Sequence, residues 1–151
     1  IWQQFYGEED DESKLPSKVI RACLRNDSSL DLTHGNQIRD FIYIDDVVSA
    51  LDMVLSQNKN FTGYSSIEIG CGIGVTVKSF IETIKFLSNS KTNLVFGSVN
   101  TRTNEPKELV ANTKILKSLG WRPFYNLEMG ITKTIDFERN FLSIKNEYTR
   151  Q

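Results

Sequence analysis

The residues best placed to do chemistry fall in one stretch, His34 to Leu51. Arg39 stands where a Gly35-Asn36 turn enters an extended run. A planar guanidinium on a rigid strand edge, its fork free to point into a cleft, suits a two-bond grip on phosphate oxygens. The same arginine could instead make a structural pair with Asp40. A second stretch, Glu68-Ile69-Gly70-Cys71-Gly72-Ile73-Gly74, places glycines at a strand mouth, where a ligand can approach backbone. Its third glycine comes one residue early for the Gly-x-Gly-x-x-Gly dinucleotide loop. His34 is the sole histidine and sits in a turn, so no Ser/His/Asp or Cys/His nucleophile can be assembled. The tyrosines are Tyr6, Tyr43, Tyr64, Tyr125 and Tyr148. None has a lysine four positions on, the pairing in which lysine's charge lowers the tyrosine pKa for proton transfer. Cys23 and Cys71 are too few for a disulfide framework and lack metal-ligand spacing.

The elements that must position these residues can be read from period and punctuation. Residues 1–7 read as a strand stopped by Gly7, and Glu8 to Glu12 as a solvated acidic loop. Ser13 or the acids before it can cap a helix from near Pro16, with Val19, Ile20, Cys23 and Leu24 on one face. Leu30 to Thr33 alternates as a short strand. Phe41 to Ile44 reads as a strand with one mostly buried face. Asp45 or Asp46 would cap the next helix, whose apolar stripe is Val47, Ala50, Leu51, Val54 and Leu55. Residues 57–63 are turn-rich. A strand over Tyr64–Gly70, the glycine loop, a helix capped by Thr76 (Val77, Phe80, Ile81, Ile84, Leu87) and a strand over Thr92–Phe96 resemble a parallel βαβ unit. Asn112 caps a short helix ended by Gly120. Asn126 caps the last helix, with Leu127, Ile131, Ile135, Glu138 and Leu142 in register, and the tail 146–151 should fray.

Gly-x-x-x-Arg39-Asp40-Phe41-Ile42-Tyr43-Ile44-Asp45-Asp46-Val47 resembles a signature in the C-terminal half of extended short-chain dehydrogenase/reductases. These are the NAD-dependent epimerases, dehydratases and reductases of sugar nucleotides. Tyr6-Gly7, a polar loop and Lys14-Leu15-Pro16 resemble the segment that cradles the nucleotide there. Asp10 to Leu15 is nearest the branch acting on CDP-linked deoxysugars, the abequose and paratose synthases. Relatives usually carry Pro-Gly where Glu8 and Glu9 stand. Arg102 through Pro106, Ala111 to Leu116, Leu119-Gly120-Trp121-Arg122-Pro123 and Leu127 to Ile131 look like the closing segment, in order and with its spacings. The resemblance implies that Arg39 and Arg102 take the diphosphate of a nucleotide sugar, with Lys14 and Leu15 lining its base or ribose pocket. Gln4 falls where relatives place a residue near the nicotinamide, and Trp121 packs the last helices together.

The resemblance further implies an α/β fold of Rossmann type, carrying the small substrate-binding lobe. The cofactor would be NAD or NADP, held mainly by an upstream half. That half would supply the glycine loop and the tyrosine–lysine pair missing here. Residues 1–151 are thus expected to be the C-terminal, substrate-binding part, inactive alone, of an enzyme acting at the sugar's C4 in surface polysaccharide (O-antigen) synthesis. Two other readings stay open. A non-enzymatic binding or assembly domain could use the same scaffold. The glycine stretch also matches the loop of S-adenosylmethionine methyltransferases, although no carboxylate ends the following strand and the chain after Gly74 is short for that fold.

Composition agrees with one globular domain: 39% apolar, 25% charged and net charge −1 over 151 residues. The balance excludes an electrostatic nucleic-acid binder, and no apolar run approaches a membrane span. A reducing cytoplasm is the expectation. The opening on Ile1, apparently in mid-strand, reads as that of a longer protein's piece. Open strand edges and uncovered apolar faces would favour homo-oligomers.

Overall fold

A computed structural model describes residues 4–57, 61 and 63–148, with side chains to residue 143. Residues 1–3, most of the 57–63 turn and 149–151 lie outside it, and with them part of the expectations for both chain ends.

At the centre, β1 (Gln4–Tyr6) pairs in parallel with β4 (Phe41–Tyr43), Gln4 opposite Phe41 and Tyr6 opposite Tyr43. All three β4 side chains are buried, not one face only. The reason is a layer on each side, as parallel strands require. Phe41 and Tyr43 face a core with α1 (Leu15–Arg25), α3 (Val77–Leu87) and α5 (Leu127–Tyr148). Ile42 faces a second core with Val47, Ala50, Ile69, Leu116 and Trp121, supplied largely by α2 (Ile44–Ser56) and α4 (Lys114–Ser118). Phe80 stacks on Phe41 at 3.8 Å between centroids.

Two further ladders flank this centre. Strand β2 (Ser29–Leu32) runs parallel to β6 (Asn93–Phe96), and β3 (Ile38–Arg39) lies between antiparallel β5 (Val75–Thr76) and parallel β7 (Glu108–Leu109). The expected strand over Tyr64–Gly70 does not form. Only Ile69 makes a bridge, and Tyr64 is 94% exposed, so alternating apolar residues there find no ladder to join. The parallel partner of β6 is therefore β2.

Helix starts differ in one instructive way. Thr76 caps α3 as expected, its hydroxyl accepting from the Ser79 N–H at 3.1 Å. So does Asn126 for α5, accepting from Met129 N–H at 2.8 Å, but at α4 the cap position is Thr113, without a side-chain bond, and the expected Asn112 stands one residue earlier, accepting from Lys114 N–H at 3.3 Å. Lys14 and Tyr43, however, occupy the cap positions of α1 and α2 and supply no side-chain bond. Ser13 is instead bound, through its own N–H, to Asp11, and Asp46 is drawn inward to a distant loop. The α2 stripe is narrower than its sequence pattern: Val47 and Ala50 are buried, Leu51 and Leu55 exposed. Helix α5 runs on through residues 146–148, beyond the expected frayed start.

Candidate functional site

The kink between β3 and β4 fixes the site. Asp40, wholly buried, accepts from the N–H groups of Cys71 (2.8 Å), Gly72 (2.8 Å) and Ala111 (3.2 Å). A buried carboxylate is tolerable only with such donors around it. The glycine loop is thus wrapped on protein atoms. A Cβ at Gly70 would stand 2.5 Å from both Asp40 Oδ2 and Ala111 Cβ, and one at Gly74 would meet Ile38 and Val110. Gly72 has φ +71°, a conformation that favours glycine. These glycines serve close packing, and a dinucleotide's phosphates do not fit against them. Burial, with the charges of Asp40 and Asp46, pushes the neighbouring Cys71 thiol up to about 12, which leaves it inert.

Arg39 follows Asp40's lead inward. It is buried, donating from Nη1 to the Ile38 carbonyl and from Nη2 to Glu105 Oε1, both at 2.8 Å. The expectation of a free fork is therefore corrected: a guanidinium at this depth needs partners, and Glu105 supplies the charged one. Gln37 donates to the same Glu105 oxygen at 3.4 Å.

Glu105 also lines a cleft of about 540 Å³ between the start of α1 and the 99–105 loop, whose walls include Lys14, Leu15, Lys18 and Arg102. The expected residues Lys14, Leu15 and Arg102 thus share one cleft, with Arg39 behind its wall. The Lys14 ammonium is held at 2.7 Å by Asp10 and lies over the Phe5 ring, so its charge is already partnered. Among the described residues Arg102 and Lys18 have no ion pair, and Asp31, also without one, lines the same cleft. Gln4 is exposed at the start of β1 and is not part of this lining. Sequence reading passed over Lys18 and the Glu105 contact. The first was marked by its four-residue spacing from Lys14 on one helix face, the second by nothing local. No group of three or more His, Cys, Asp or Glu among the described residues could hold a metal. No helix among them is long and apolar enough to cross a membrane.

A parallel strand pair covered by helices on both faces defines an α/β protein. A family model, GDP-mannose 4,6 dehydratase, matches residues 4–134, and the chain belongs to that family within the NAD-dependent epimerase/dehydratase group of extended short-chain dehydrogenase/reductases. It is 34% identical over 135 residues to the CDP-abequose synthase of Salmonella typhimurium, covering 88% of this chain and 45% of the relative. The CDP-abequose synthase of Salmonella muenchen is 36% identical over 136 residues, with coverage of 90% and 46%. The solved structure of MoeE5 in complex with UDP-glucose and NAD matches with TM-score 0.81 and 26% identity, over 93% of this chain and 46% of that one. The chain spans about half the length of the curated relatives it matches.

Proposed function

We propose that residues 1–151 form the C-terminal, substrate-binding part of an NAD(P)-dependent sugar-nucleotide reductase, epimerase or dehydratase. The cleft beside α1 would take the nucleotide diphosphate, with the reacting C4 of a deoxysugar presented to a cofactor held mainly outside this chain. The observation that carries this reading is Arg102, which lines the cleft with Lys18 and has no ion pair among the described residues. Arg102 and Arg39 would take the diphosphate, Arg39 by exchanging its bond to Glu105 for phosphate oxygens, and Lys14 and Leu15 would border the base or ribose. Gln4, at the start of β1, would turn toward the cofactor, NAD or NADP. The likeness to two CDP-abequose synthases favours a CDP-linked deoxysugar bound for surface polysaccharide. A cytoplasmic homo-oligomer is the corresponding parent.

The test is Arg102→Ala in the full-length parent. A charge-assisted arginine–phosphate contact contributes about 1.5–3 kcal/mol, so the substrate KM should rise about ten-fold or more with kcat changed less. An unchanged KM would remove Arg102, and with it this cleft, from substrate binding.

A further inference from the structure

We infer that Asp31 is the residue by which this cleft selects the base, taking an amino-bearing pyrimidine, as in CDP, over uracil. The inference rests on reading the cleft as a nucleotide-diphosphate site and names which nucleotide it fits.

Three observations carry it. Asp31 lines the cleft that Arg102 and Lys18 share, and among the described residues its carboxylate makes no hydrogen bond and no ion pair. The other carboxylate in that lining, Glu105, is bonded to Arg39 and Gln37. Asp31 is also fixed in place. It stands opposite Val95 in the β2–β6 ladder, between Leu30 and Leu32, whose side chains are buried in the core. Strand alternation therefore turns the Asp31 side chain away from that core. Beside it lies apolar lining: Leu15, Val99 and Leu32, whose carbonyl accepts from the Val99 N–H at 3.1 Å. Apolar walls with one fixed acceptor suit a flat heterocycle that carries a donor at its rim.

An unneutralised carboxylate in an anion site weakens binding unless it meets a donor, because like charges repel. A nucleoside diphosphate offers it two kinds of donor, ribose hydroxyls and base N–H groups. The ribose is joined directly to the phosphates, whereas the exocyclic amino group of cytosine lies at the far rim of the base. There a negative charge is repelled least, and an ionised acceptor bonds an amino group strongly. Uracil turns a carbonyl oxygen to the same place. Two acceptors then face each other, an arrangement that a site built around a donor rejects.

The experiment uses the full-length parent, with CDP and UDP as probes and titration calorimetry for Kd. The parent should bind CDP about ten-fold or more tighter than UDP. Asp31→Ala should weaken CDP and leave UDP as tight or tighter, bringing the two within about two-fold. UDP binding as tightly as CDP in the parent overturns the proposal. So does an Asp31→Ala variant that shifts both ligands by one factor, the result expected of a ribose contact or a bystander charge. Should Asp31→Ala fail to fold, Asp31→Asn keeps the size of the side chain, and its neutral amide can face either base. It should narrow the CDP preference, and an unchanged preference overturns the proposal too. Arg102→Ala separates the two levels, since it should weaken CDP and UDP alike. If it leaves both unaffected, the diphosphate reading itself fails. If it weakens both while Asp31→Ala keeps the parent's preference for CDP, only the base-selecting role fails.

Discussion

Asp40 shows how much of this site is made by one side chain that no ligand meets. Its two oxygens take three backbone N–H groups from two separate loops. Asp40→Ala would strand those donors in a dry place, at about 1–3 kcal/mol each, and should lower the urea midpoint more than any surface change. Asp40→Asn presents only one acceptor oxygen and should fall between. Denaturation monitored by tryptophan fluorescence reads both, and an Asp40→Ala midpoint equal to the parent's would refute the hub. At this scale the sequence was partly legible. Arg39 stood out because arginine at a strand entrance is chemically pointed, but its partner lies 66 residues away and could not be read locally. Asp46 looked like an ordinary cap. Its carboxylate instead accepts from the N–H groups of Phe124 and Tyr125, at 2.8 and 3.0 Å. Only the folded path of the chain after Trp121 brings those donors near.

Among elements, helices were more legible than strands. A stripe at helical spacing and a threonine before it suffice for α3, because both signals are local. Thr76→Ala should cost α3 about 1 kcal/mol. Leu55→Glu, on the exposed side of α2, should stay within about 0.5 kcal/mol in this chain, and thermal unfolding of the two variants tests the contrast. A large loss in Leu55→Glu would mean that the α2 stripe is covered after all. Strands need neighbours, and pairing choices are not written in any one segment. Residues 64–70 alternate well yet stay outside the ladders, while the two-residue β3 and β7 pair because the chain crossings at Asp40 and Lys107 bring them together. Trp121 was a partial exception among long-range features. Its burial follows from a bulky aromatic after a helix-ending glycine, but its partners do not: it packs on α2, β4 and α4 instead of joining the last two helices, and its Nε1–H donates to Ser49, 72 residues away, at 2.9 Å.

For the molecule as a whole, the buried titrating groups set an alkaline limit. Cys71 is raised from its ordinary 9.0 to about 12, and burial also raises Tyr6 and Tyr43 above their ordinary 10.0. Across that range the folded chain keeps protons that the unfolded chain releases. Stability from these groups is therefore complete below about pH 9 and declines as pH climbs toward 12, by up to about 1.4 kcal/mol per pH unit for each group. Urea midpoints at pH 8, 9.5 and 11 should fall in that order, and a flat series would contradict the burial of these side chains. The hub at residue 40 has a kinetic corollary as well. Its donors come from 31, 32 and 71 positions further along the chain, so nothing nearby can satisfy it while the polypeptide is still searching. Until both distant loops arrive, sealing that anion away from water is uphill. Closure around it belongs to the late, slow side of the folding barrier, and the strand entrance that carries Arg39 becomes rigid only when the rest of the chain has already found its place.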